Sequence, residues 1–202
     1  MDLDKALSEI SEIRSHLAGQ ELFQGFGPAS IACTGLLAMF VAGAQILMPA
    51  SLAADQHGFI LCWVFTAFVA SLFITAHMWY RAKELHGTQS GAMLNRIFEQ
   101  LMPPVFVVVV ITVVFVRFAP PLLNALPGLW LLMAALAVFA MASSLGYRMR
   151  IVGVWYFLSG ATVLLIGLQQ PQAVLSPWLL GLPFLIGQLA MATVLKLENS
   201  HT

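Results

Sequence analysis

The amino-acid sequence predicts an all-α fold: an integral membrane bundle of six transmembrane helices with an amphipathic N-terminal cytoplasmic helix. Two observations carry that prediction. The 202 residues are 60% hydrophobic and only 9% charged, with a mean hydropathy of +0.89, whereas a water-soluble domain carries about a quarter charged residues. The apolar residues are also gathered into runs that cross the roughly 30 Å hydrocarbon core as helices of about 20 residues. Val105 to Val110 does not alternate as a membrane β-strand would. Three regions follow: residues 1–27, a cytoplasmic amphipathic helix and linker; 28–196, the six-helix domain; and 197–202, a short cytoplasmic tail.

Residues 2–18 place Leu3, Leu7, Ile10, Ile13 and Leu17 at steps of three or four, with Asp4, Glu9, Glu12 and Arg14 on other faces, the pattern of an amphipathic helix. Its acidic bias suits packing on protein rather than on an anionic leaflet. Gly25, Gly27 and Pro28 break it. The first span, Ala29 to Met48, carries no formal charge and stops at Pro49, and the second runs from Gly58 to Tyr80 and contains His77. The third, Leu101 to Phe118, is rich in valine, with Pro103 and Pro104 in its first turn, where no amide donor is needed, and Arg117 at its end. Lipid leaves its backbone no partner other than the helix, which overrides valine's weak propensity. The fourth span is Pro127 to Tyr147, the fifth Ile151 to Leu168, and the sixth Val174 to Leu195. A second amphipathic piece, Ala92 to Met102, is expected to lie along the inner surface before the third span.

Orientation follows from Lys and Arg. Lys5, Arg14, Arg81, Lys83, Arg96, Arg148, Arg150 and Lys196 fall on one side and Arg117 alone on the other, which predicts that both termini are cytoplasmic. No charged segment of the secretory kind precedes the first span, so no cleaved leader is expected. Trp63, Trp130 and Trp178 fall near the outer interface, and Trp79, Tyr80 and Tyr147 near the inner one. The outer loops, 49–57, 118–126 and 169–177, are too short to form a domain, so a large partner docks from the cytoplasm or within the bilayer. A formal net charge of +0 offers no basic field to a nucleic acid.

The first span carries Ser30, Thr34, Ala38, Val41 and Gln45 at helical steps, and the fifth carries Ser159, Thr162, Ile166 and Gln169. Both stripes are expected to face other helices, because polar groups in hydrocarbon need partners. They serve either as interhelical hydrogen bonds or as a polar cleft between spans 1, 2, 5 and 6. The cleft reading takes Thr34, Gln45, His77, Ser159, Gln169 and Gln188, with Gln45 and Gln169 at an outward mouth beside His57 and Cys62, and Gln188 below. The two hairpins also echo each other: Thr34-Gly35, Gly43-Ala44-Gln45 and Pro49 against Ser159-Gly160, Gly167-Leu168-Gln169 and Pro171, with the spacing slipping by one. As a repeat this relates hairpins that both begin inside, unlike the inverted repeats of many transporters.

His77 suits proton transfer or metal ligation, and the weak metal candidates on the inner side are Glu12, His16, His77 and His86. His57 and His77 lie about 30 Å apart on one helix, which excludes a haem held by the pair. Cys33 and Cys62 differ in depth by roughly 15 Å, beyond the reach of a disulfide, and are expected to be free thiols in the core. Arg81, Lys83, Arg96, Arg148 and Arg150 ring the inner face and are candidates for anionic lipid headgroups. The spans hold no Asp or Glu, so no acid–base pair or nucleophile–base arrangement points to an enzyme, and no cofactor is called for.

The run Ile10-Ser11-Glu12-Ile13-Arg14-Ser15-His16-Leu17-Ala18, then Glu21-Leu22-Phe23-Gln24-Gly25-Phe26-Gly27-Pro28 and Thr34-Gly35, resembles the start of a group of small multi-span bacterial membrane proteins that have no assigned activity. The resemblance implies a bacterial inner membrane and no site residue. The expected function is that of a non-enzymatic membrane subunit or regulatory and interaction module, acting through its bundle and cytoplasmic face. Its expected partners are membrane lipids, a second copy, or another membrane or cytoplasmic protein. The alternatives are a small-solute or ion transporter or channel using the cleft, and a lipid-binding membrane protein.

Overall fold

The structure, a computed structural model, describes residues 27–47, 55–86, 90–145, 147–170 and 175–199. The predicted helix over residues 2–18 lies outside the described residues. Within them are six helices: α1 (Pro28–Leu47), α2 (Gln56–His86), α3 (Ser90–Phe118), α4 (Leu126–Leu145), α5 (Met149–Gln169) and α6 (Trp178–Asn199), with a 3-10 turn at Pro120–Ala125 leading into α4. Five stretches are long and apolar enough to cross a membrane, and α3 contributes a shorter apolar segment, Met102–Phe118. That segment measures about 25 Å at 1.5 Å per residue. Among the described residues there is no strand, as expected where the backbone must satisfy itself.

The starts of the helices have local causes. Asp55 accepts a hydrogen bond from the Gly58 amide across the first turn of α2, satisfying one of the donors that a helix N-terminus leaves free. Ala92 to Met102, expected to lie flat before the third span, is instead continuous with it in α3, and Pro103 and Pro104 sit inside one helix. With 31 residues in α2 and 29 in α3, the two helices extend about 46 Å and 43 Å. Each exceeds the hydrocarbon thickness, and both do so at the end where they approach the 87–89 connection.

The helices pack in chain order into a closed ring, α1 against α2 and so on to α6, which returns to α1. Two antiparallel pairs, α4 with α5 and α1 with α6, carry the most extensive contact, and both use glycine in the same way. A Cβ at Gly35 would lie 3.4 Å from the Cα of Leu185, and one at Gly181 would lie 2.6 Å from the Cβ of Ala42 and 3.9 Å from the Cα of Met39. In the other pair a Cβ at Gly160 would lie 2.9 Å from the backbone nitrogen of Leu132, and one at Gly128 would strike the backbone of Leu164. In the α4–α5 pair each glycine faces the residue four beyond its partner, Leu164 and Leu132; in the α1–α6 pair Gly35 lies on Gln188 and Leu185, and Gly181 on Ala42. The inward stripes correspond as well: Ile31, Gly35, Ala38 and Ala42 on α1 match Tyr156, Gly160, Val163 and Gly167 on α5. The Thr34-Gly35 and Ser159-Gly160 echo thus has a common packing register, one that lets backbones approach closely without a hydrophobic drive from lipid.

The third antiparallel pair, α2 with α3, lacks this device: the apolar part of α3 contains no glycine, most of its valines are exposed, and Ile111 and Phe115 are the side chains it packs on the core. Tyr156 and Phe184 meet edge to face at 5.8 Å, and the Tyr156 ring lies over Gly187, joining α5 to α6. Gly128→Ala is therefore expected to lower stability by about 1–3 kcal/mol, the cost of overpacking against an immovable backbone. Gly43→Ala, where a Cβ meets nothing within 4 Å, is expected to leave it unchanged. Thermal unfolding of the two variants in mild detergent checks the contrast.

Candidate functional site

The cleft candidates fall in different settings. Thr34 is buried, but its hydroxyl donates to the Ile31 carbonyl at 2.7 Å, and Ser30 donates likewise to Gly27 at 2.7 Å. Gln188 is half-buried; its Cβ lies against Gly35 and its amide beside the Tyr156 phenol. Gln45 is 6% exposed and its side chain meets Cys62 across the α1–α2 interface. Ser159 is half-buried and Gln169 is exposed at the end of α5.

The predicted inward stripe of the fifth span is rotated by one residue. Thr162 and Gln169 face outward, while Val163 and Gly167 are buried. Glycine decides the phase, because Gly160 must face α4 and Gly167 the 3-10 turn. Thr162 tolerates the outside because its hydroxyl bonds the Leu158 carbonyl at 2.9 Å. The first-span stripe does face inward, with Ser30, Thr34, Ala38 and Gln45 all buried.

Four buried side-chain polar atoms of the described residues make no hydrogen bond: Gln45 Oε1, Trp63 Nε1, His77 Nδ1 and the Tyr156 hydroxyl. They lie on α1, α2 and α5. Sequence reasoning singled out Gln45 and His77 but placed Trp63 in the outer aromatic belt, whereas it is 4% exposed inside the bundle with Phe59 at 6.3 Å. Tyr156 was not singled out at all. The available signal was phase: Trp63 lies on the stripe of Phe59 and Thr66, and Tyr156 one turn before Gly160. His77 is half-buried, with the Phe73 ring at 6.3 Å.

The 3-10 turn caps the bundle at the end where α3 passes into α4. Leu123, Asn124, Ala125 and Leu126 are all buried, and the turn packs on α2, α3, α4 and α5. Gly167 admits the Asn124 carbonyl, and Asn124 Nδ2 donates to the Gln170 carbonyl at 2.6 Å. Trp130, on the first turns of α4, donates to Thr112 of α3 at 2.9 Å.

Both cysteines are free, but Cys33 is exposed on the outer surface of the bundle instead of lying in the core as expected, because Gly35 and Thr34 take the inward face of α1. Arg148 and Arg150 are exposed on the turn between α4 and α5, with the Arg150 guanidinium 5.3 Å from the Tyr147 ring, an arrangement suited to the headgroup level. Arg81, Lys83, Arg96 and His86 belong to the extensions of α2 and α3, in a stretch whose side chains lie outside the described ones, and Glu12 and His16 lie outside the described residues. No group of three His, Cys, Asp or Glu side chains converges among the described residues.

These features define a helical membrane protein of the bundle type. The chain matches no protein family, no curated protein and no solved structure. Asn124→Ala removes the hydrogen bond to the Gln170 carbonyl and is expected to cost about 1 kcal/mol, whereas Gln169→Leu on the exposed face is expected to stay within about 0.5 kcal/mol of the parent; melting in detergent distinguishes them.

Proposed function

We propose that the protein is a non-enzymatic interaction module of a bacterial inner membrane, presenting the joined ends of α2 and α3 to another polypeptide on the cytoplasmic side. The observation that carries this reading is the length of those two helices. Each is longer than the hydrocarbon core is thick, and their extensions converge on one short connection. In sequence the extensions carry Arg81, Lys83, Glu84, Arg96 and Glu99, the mixed charge that fixes the register of a protein partner. The distribution of Lys and Arg favours the cytoplasmic side for this hairpin and for both termini.

A second copy of the chain and a different protein both fit a mixed-charge hairpin. A photo-crosslinking amino acid at Glu99, which is exposed, is expected to yield a discrete protein adduct in native membranes. The same group at Phe40, 73% exposed on the apolar surface of α1, is expected to yield mainly lipid adducts. Mass spectrometry of the Glu99 adduct distinguishes a second copy from another chain, and crosslinking from Glu99 to lipid alone removes the proposal.

A further inference from the structure

At the end of the bundle where α1 begins, α5 and α6 present positive charge without a counterpart. Arg148 and Arg150 are exposed at the start of α5, and Lys196 is exposed in the last turn of α6. They stand at one level. α5 and α6, joined by the short 170–177 connection, run antiparallel with Tyr156 over Gly187, so Arg148, eight residues before Tyr156, is level with Leu195, eight beyond Gly187. Among the described residues no carboxylate pairs with any of the three. Lys196 suits the negative end of the α6 dipole, but no side chain caps α5 and no acid lies in its first turn, so the two arginines add to a helix end that is already positive.

The chain holds the matching negative charge in one place. Residues 1–26 contain Asp2, Asp4, Glu9, Glu12 and Glu21 against Lys5 and Arg14, a surplus of three acids, and residues 27–202 contain an equal surplus of bases. This segment also joins the bundle beside the basic residues. Antiparallel packing of α1 on α6 puts Gly35 against Leu185 and Gln188, which brings Gly27, eight residues earlier, level with residues 193–196. From there the linker at 19–26 can reach up to about 28 Å, whereas α5 lies two helix spacings away, about 20 Å. Tyr147, Ile151 and Leu197 are exposed next to the basic side chains and offer apolar contact to the Leu7, Ile10 and Leu17 face of an amphipathic helix.

We propose that the start of α5 and the end of α6 form a docking surface for this chain's own N-terminal segment, residues 2–18, which lies across them as an acidic amphipathic helix with its carboxylates on Arg148, Arg150 and Lys196. The matching charge surplus and the entry of the segment into α1 beside Lys196 select this occupant. An anionic lipid headgroup and the N-terminal segment of a second copy are the competing occupants, and the test separates them. The surface uses no residue of the α2–α3 hairpin, so this proposal and the proposed function fail separately.

Lys196 is the native reporter. In lipid nanodiscs holding an equal mixture of unlabelled and isotope-labelled full-length chains, a water-soluble carbodiimide activates a carboxylate as its O-acylisourea. An amine in contact then attacks the carbonyl carbon, forming an amide and releasing the carbodiimide as its urea. Peptide mass spectrometry is expected to find Lys196 joined to a carboxylate of residues 2–21 of the same chain. The yield is expected to fall at least about threefold in about 0.5 M NaCl, which screens the contact, and by a similar factor when Arg148→Gln and Arg150→Gln are combined. It is expected to stay the same when phosphatidylcholine is replaced by phosphatidylglycerol. A product of mixed label gives the surface to a second copy, and a product lost in phosphatidylglycerol gives it to lipid headgroups; either overturns the proposal. It is overturned as well if Lys196 never joins residues 2–21, or if the yield is indifferent to both salt and the two substitutions. The unsubstituted protein decides by itself if the double variant does not fold.

Discussion

Close backbone approach at paired glycines is the constraint on which the rest of the bundle depends. Inside a bilayer the lipid tails are as apolar as the side chains, so helices gain little from hiding from solvent and associate through contact itself. Gly35 with Gly181, and Gly128 with Gly160, bring two antiparallel pairs to a separation at which a single methyl group would collide. Once those pairs exist, the inward faces of α1, α4, α5 and α6 are fixed, and Tyr156 over Gly187 joins one pair to the other. The 3-10 turn then has a seat, because Gly167 opens the space that Asn124 occupies.

The same constraint sorts the polar side chains. Short hydroxyls satisfy themselves on their own helix: Thr34, Thr66, Thr112, Thr162 and Thr193 each donate to a carbonyl three or four residues earlier. They are indifferent to which face they occupy. Gln45, Trp63, His77 and Tyr156 have polar atoms set too far from their own backbone for that solution, and these are the buried atoms left open. Trp130 and Trp155 show the alternative for an indole, donating to Thr112 and to the Pro183 carbonyl on neighbouring helices.

Legibility in the sequence divides along this line. The existence and approximate bounds of the spans follow from hydropathy and length, because those are what the bilayer measures. The inward face of α1 was readable, since its hydroxyls and its glycine share one stripe. That of α5 was not: the Thr162 and Gln169 stripe suggested a face one residue away from the one Gly160 and Gly167 impose, and in lipid a small residue outranks a self-satisfied polar one. Trp63 misled for a related reason, because depth alone does not tell an indole in the interfacial belt from one turned inward. The continuity of α3 through Pro103 and Pro104 was hidden by reading proline as a boundary, although a proline there can open the apolar part of a helix that has already begun.

The pair without glycines, α2 and α3, is also the pair whose ends extend beyond the bilayer thickness. α2 is the least buried of the five long spans, and at its seam with α3 it packs far less extensively than α4 packs on α5 or α1 on α6. The energy holding this seam is correspondingly smaller than that holding α4 to α5 or α1 to α6. A force applied at the proposed docking hairpin acts first on the seam, while the glycine pairs resist it, since tightly packed interfaces do not deform continuously. On that reading the four tightly packed helices are the frame, and α2 and α3 are the part of the molecule able to respond to a partner.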